Sequence, residues 1–176
     1  MNKLLNLDKK RIVRILIIAI LFLGLMLLIQ WYLSKNVKLR ALESALLEYK
    51  FVEGVEIAEQ TEKVVVYLSF GSVNNLKDAY DKVCSIVEKQ LNRQPFEVKI
   101  VNSAISEIED VYYNKVQFII YEALETGEFT KMRERLDEIE TISDPLKIQV
   151  FLDSNKLYLH MVLNESNFYK IVQREV

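Results

Sequence analysis

Hydrophobic and polar positions follow two regimes along this chain. From Ile15 to Ile29 there is no polar side chain, and the apolar segment reaches from Ile12 to Leu33 with Arg14 near one end. As a helix its 22 residues would be about 33 Å long, against a hydrocarbon core of ~30 Å. Twelve of the fifteen residues in the central run are Leu, Ile or Phe, which favours insertion by roughly 4–7 kcal/mol. A transmembrane helix over residues 12–33 is therefore expected. Val37, Ala41, Leu42, Ala45, Leu46 and Tyr49 then recur at helical spacing, so the helix is expected to continue as a stalk over 34–51 until Gly54 interrupts it.

Beyond the stalk the period changes to that of a folded domain. Val55 to Glu59 and Lys63 to Phe70 read as two strands of a hairpin around the polar Gln60-Thr61-Glu62. Leu76, Ala79, Tyr80, Val83, Cys84, Val87 and Leu91 form one helical stripe behind an Asn74/Asn75 cap, with Pro95 as the stop signal. Phe96 to Val101 alternates and is expected to return parallel to the second strand through a right-handed crossover. Residues 116–121 are strand-like by type. Ile105, Ile108, Tyr112, Val116, Ile119 and Ala123 nevertheless mark one helical face, so a long helix over 103–126 is preferred, with Gly127 as its left-handed terminator. Thr130 is expected to cap a further helix carrying Met132, Leu136 and Ile139 inward, ended by Asp144-Pro145. Lys147–Leu152, Lys156–Leu163 and Phe168–Gln173 complete the pattern as an antiparallel meander whose middle strand is apolar on both faces in part. The expected fold class is α+β, in the order ββαβ-αα-βββ. The segments are a basic N-terminus at 1–11, the span at 12–33, the stalk at 34–51 and one soluble domain at 52–176.

Charge sharpens this division. A net charge of -2 over 176 residues conceals +7 in residues 1–40 and -9 in residues 41–176. Lys9, Lys10, Arg11 and Arg14, with Lys3, flank one end of the span, and Lys35, Lys38 and Arg40 the other, a five-to-three bias that predicts a cytoplasmic N-terminus and an extracytoplasmic domain. Trp31 and Tyr32 stand where an interfacial aromatic belt belongs, so Lys9, Lys10, Arg11, Arg14, Trp31, Tyr32 and Lys35 are the expected membrane-anchor flanks. The exit sequence offers no small-x-small cleavage site, and the single cysteine, Cys84, is far from any lipoprotein position, so an uncleaved anchor is expected. The acidic remainder argues against nucleic acid as a partner.

Catalytic and metal chemistry find little material. His160 is the lone imidazole, inside a strand, where a packed side chain is the expectation; Cys84 lies on an apolar stripe, where an inert buried thiol is expected. One Cys and one His make no zinc site, and the acidic runs Glu107-Ile-Glu109-Asp110 and Asp137-Glu138-Ile-Glu140 read as solvated helix faces. Asp153-Ser154-Asn155 reads as a β-turn and not as a calcium loop. Gly54, Gly71 and Gly127 are too far apart for a phosphate loop. No cofactor and no enzymatic activity are expected.

The ββαβ order of residues 54–101 resembles the small ring-building and pilus-alignment domains of bacterial secretion and sporulation machines, which also hang from one membrane helix. The anchor, the stalk that holds the domain near the bilayer, the missing catalytic groups and the strand-rich C-terminus with potential edges for pairing lead, with that resemblance in support, to the expectation of a non-enzymatic protein-interaction subunit of a bacterial cell-envelope assembly, with the lipid bilayer, envelope proteins or further copies of itself as partners. The second reading is a membrane-anchored, ligand-sensing domain with Tyr67, Tyr80, Tyr112, Tyr113 and Tyr158 lining a small-molecule pocket.

Overall fold

The computed structural model describes residues 9–102 and 106–174; of residues 9, 10, 31–36 and 106 only the backbone is described. The chain divides into two compact units between Ala41 and Leu42. In the first, the long helix α1 (Lys9–Leu47) contains a segment, Arg11–Gln30, that is long and apolar enough to cross a membrane. Every side chain from Arg11 to Gln30 is exposed. A helix apolar on all sides and covered by no protein has no aqueous reason to be so.

The second unit begins inside α1, ten residues before the boundary drawn at residue 51 from the sequence. Leu42 and Leu46, one helical turn apart, are fully buried, so the end of the helix belongs to the core of this unit. Two three-stranded sheets follow. Sheet A has the order β1-β2-β3, from β1 (Val52–Glu59), β2 (Val64–Phe70) and β3 (Phe96–Ile100). β1 pairs antiparallel with β2, and β3 pairs parallel with β2 after the crossover helix α2 (Leu76–Leu91). The central strand buries Val64, Val65, Val66, Leu68 and Phe70, as a strand covered on both faces must. Gly54 does not interrupt a helix. It lies in β1 at a register shift opposite Ser69, where an added Cβ would come within 2.6 Å of the Ser69 hydroxyl.

Asn75 caps α2, its side chain accepting the Asp78 N–H at 3.2 Å. The helix ends at Leu91 because Asn92 turns left-handed, at φ 47°, three residues before Pro95. Residues 103–105 lie outside the described ones; from Ser106 the long helix runs as α3 (Ser106–Val111), a π-turn (Tyr112–Val116) and α4 (Gln117–Thr126). Its apolar residues Ile108, Tyr112, Val116 and Ile120 step by four, and each such step drifts about 40° round an α-helix. The underwound π-turn absorbs part of that drift, and all four remain buried. The segment 116–121 is thus helical.

Helix α5 (Phe129–Ile142) starts at Glu128, with no side-chain cap. Thr130 sits within its first turn and is not the cap; the Thr126 hydroxyl, at the end of the preceding helix, accepts the Glu128 N–H at 3.3 Å. Sheet B is the meander β4 (Lys147–Leu152), β5 (Lys156–Leu163) and β6 (Ser166–Gln173), all antiparallel. Leu157, Leu159 and Met161 of β5 join one core with α3 to α5, through Ile108, Val116, Ile120, Met132 and Leu136. The opposite face carries Tyr158 and His160, also buried, and meets α2 where the Tyr80 and Tyr158 rings pack at 5.9 Å.

Gly127 ends α4 at φ 75°, and an added Cβ would meet nothing within 4 Å. Any loss in a Gly127→Ala variant is therefore purely conformational. It should lower unfolding free energy by about 1–2 kcal/mol, read from the urea midpoint, whereas Gly127→Asn should lose less.

Candidate functional site

The feature of the domain with most chemical content is a groove of about 690 Å³ between the outer edges of β3 and β6. The ladder bonds at the ends of the two strands fix which backbone groups face it. Val101 N–H donates to Leu68 at 2.7 Å and Val64 N–H to Pro95 at 2.9 Å, so the odd-numbered residues of β3 bond to β2. Phe96, Val98 and Ile100 then turn their N–H and C=O groups away from the sheet. On β6, Arg174 N–H donates to Asn155 at 2.7 Å, which points the even-numbered residues at β5 and the odd ones, Tyr169, Ile171 and Gln173, outward.

Asn102, just past β3, joins the two edges. Its amide nitrogen donates to the Tyr169 carbonyl at 2.9 Å and its oxygen accepts the Tyr169 N–H at 2.8 Å, so one side chain occupies the place of a strand residue. Beyond this junction, the outward groups of Val98, Ile100, Ile171 and Gln173 have no strand partner among the described residues. Tyr80 and Cys84, one turn apart on α2, line the groove on one side, and Tyr113 lines it from the π-turn.

Lys99, Lys156, Lys170, Glu97 and Glu109 line the groove and, with Lys63 beside Glu97, set its electrostatics. Glu97 accepts from Lys63 at 2.6 Å, with Lys99 at 3.6 Å; the Lys63 hydrogen bond holds its carboxyl below the usual range. Lys156 lies over the Tyr80 ring at 4.7 Å and Lys170 over the Tyr112 ring at 5.9 Å. Neither ammonium has a carboxylate partner among the described residues, and Glu109 is the remaining acidic group of the lining. Burial pushes the Cys84 thiol up, with Tyr80 and Lys156 partly offsetting it.

The groove gathers only some of the residues singled out from sequence. Cys84 is half-buried and faces the groove, not the core; it sits at the margin of a stripe whose centre is Tyr80, Val83 and Val87. Of the five tyrosines, Tyr80 and Tyr113 line it, Tyr67 borders a separate cleft by Gly54, and Tyr112 and Tyr158 are core residues. Asp153 is consumed by its turn, accepting from Asn155 and Lys156 N–H at 2.7 Å and from the Tyr158 hydroxyl at 2.8 Å, which holds its carboxyl low. Asp137 pairs with Arg133 at 2.5 Å, and Glu140 accepts the Ile148 N–H. The described residues hold no group of three or more His, Cys, Asp or Glu placed for a metal. Of the anchor flanks, Arg11 and Arg14 are exposed, while Lys9, Lys10, Trp31, Tyr32 and Lys35 lie in the helix with side chains outside the described ones. Asn102 and the lysines carried no sequence signal. Their role exists only once residue 102 meets residue 169.

Behind the groove, Tyr169 ties the sheets together. Its hydroxyl donates to the Gly71 carbonyl, its ring meets Phe70 at 5.9 Å, and its other face stacks on His160 at 4.6 Å. His160 is 3% exposed. Its Nε2 pairs with Asn167 Oδ1 at 2.9 Å, which makes Nε2 the donor, and its Nδ1 is buried without a partner. Desolvation lowers the imidazole pKa, against a smaller upward effect of Asn167.

Compared with family models, with curated proteins and with solved structures, the chain matches none of them.

The buried imidazole generates a pH dependence of stability. Its folded pKa lies below the unfolded ~6.5, so just below that pH the unfolded state binds more protons and stability falls as pH falls. Urea midpoints of the full chain in detergent should decline from pH 7 to 5.5. His160→Gln should flatten that slope, and an unchanged slope would exclude His160 as its source.

Proposed function

We propose that this chain is a single-pass membrane protein, N-terminus in the cytoplasm, whose extracytoplasmic α+β domain binds other proteins as a non-enzymatic subunit of a bacterial cell-envelope assembly. The observation that carries the reading is the groove, where two sheet edges of one domain present backbone groups with no strand partner among the described residues. Exposed strand edges are templates for pairing with another chain, and native proteins blunt or cover those that serve no partner. Here a single side chain, Asn102, closes one end only. The exposed apolar helix supports an anchor in the bilayer, and the five-to-three excess of basic residues before it supports the orientation.

Two measurements test this. A reporter that is active only outside the cytoplasm, fused after Val176, should be active, and cytoplasmic activity would reverse the topology. A photo-cross-linking amino acid at Tyr113, beside the groove, should give discrete protein adducts in intact membranes, and the same group at exposed Glu134 on α5 should not. Equal labelling at both positions, or a chain that cross-links nothing but is stabilised thermally by a small metabolite, would overturn the reading in favour of ligand sensing.

A further inference from the structure

We infer that the occupant of the groove is an extended, acidic peptide segment of a partner protein, added as a further strand along β3 or β6. The inference rests on the protein-binding reading above and specifies what binds.

The shape comes first. A strand residue advances about 3.3 Å, with ~4.8 Å between strands and ~10 Å between layers, or roughly 160 Å³ per residue. A groove of 690 Å³ therefore takes about four extended residues, close to the five-residue length of β3. A helix with side chains, 10–12 Å across, fits it poorly. The walls also offer what an extended backbone needs, since outward N–H and C=O groups stand at every second residue on both edges, at Val98 and Ile100 and at Ile171 and Gln173. Strand addition satisfies them, whereas a compact small molecule meets only a few.

The charge selects the sequence. An added strand points alternate side chains to its two faces. Lys156 lies over Tyr80 and belongs to the α2 side, and Lys170 lies over Tyr112 and belongs to the α3 side, so each face offers an ammonium above an aromatic ring. Glu97 is already neutralised by Lys63 and Lys99, which leaves Glu109 against Lys156 and Lys170, two lysines with no carboxylate partner among the described residues. This local excess of positive charge stands on a region, residues 41–176, of net charge -9. A carboxylate alternating with apolar residues is the complementary pattern. A basic strand would meet like charge.

The test uses the full chain in neutral-lipid nanodiscs and a display library of random twelve-residue peptides, counter-selected on empty nanodiscs. Enriched peptides should lack Pro, carry Asp or Glu alternating with apolar residues, and slow maleimide labelling of Cys84, the sole thiol and part of the groove lining. Their affinity should fall about tenfold in Lys156→Glu/Lys170→Glu. The milder Lys156→Gln/Lys170→Gln should fall less, with its thermal midpoint guarding against unfolding. N-methylation of alternate peptide amides should abolish binding. No enrichment, enrichment of basic or Pro-rich peptides, binding indifferent to the lysine variants, or oligomers of the chain itself that these variants dissolve would each overturn the inference. If Tyr113 cross-links persist unchanged in the lysine variants, the protein-binding reading stands and the acidic-strand inference alone fails; if no adduct forms at all, both fail.

Discussion

The constraint on which this domain depends is a strand with no solvent face. β5 buries Leu157, Leu159 and Met161 against one set of helices and Tyr158 and His160 against another layer. A half-buried sheet needs one cover; a sheet buried on both sides needs two, and the chain supplies them from opposite directions. Helices α3 to α5 cover one face and α2, carried by sheet A, meets the other. The placement of the two sheets, and the groove between their edges, follow from that demand.

Burying both faces also forces polar atoms inside. Tyr158 answers by donating its hydroxyl to Asp153, and Tyr169 by donating to the Gly71 carbonyl. Burial holds both phenols in the neutral form, reinforced for Tyr158 by the hydrogen bond to Asp153, and raises the Tyr169 pKa to about 12. His160 is answered only in part. One nitrogen has Asn167 and the other has nothing, which biases the ring to a single neutral tautomer.

Local pattern makes most elements legible in the sequence. The alternation of Phe96 to Val101, the stripe from Leu76 to Leu91 and the turn at Asp153 each depend on neighbours within one or two turns, and each stands where the spacing puts it. What was illegible is non-local or finely balanced. Thr130 is a strong signal that lost to a better local solution, the Thr126 hydroxyl two residues before the Glu128 cap position, while the stop at Pro95 is carried out three residues earlier by a left-handed Asn92. The π-turn is reflected only in the steps of four between Ile108, Tyr112, Val116 and Ile120, too slight a departure from 3.6 residues per turn to separate it from an α-helical stripe. The groove was less legible still. Neither Asn102 nor Tyr169 belongs to any motif, and a lysine over a tyrosine ring is invisible in a charge count.

The junction between the sheets closes over long stretches of chain. Asn102 reaches 67 residues forward to Tyr169, and Tyr169 reaches 98 residues back to Gly71. β6 follows the other five described strands in sequence, so on a ribosome β1 to β3 and α2 emerge well before it, with the β3 edge bare. The β6 wall of the groove is thus made after the β3 wall it faces. Premature engagement of the β3 edge by another nascent chain is a kinetic hazard that only synthesis of the C-terminal strand removes, so the rate at which β6 docks sets how long the hazard lasts.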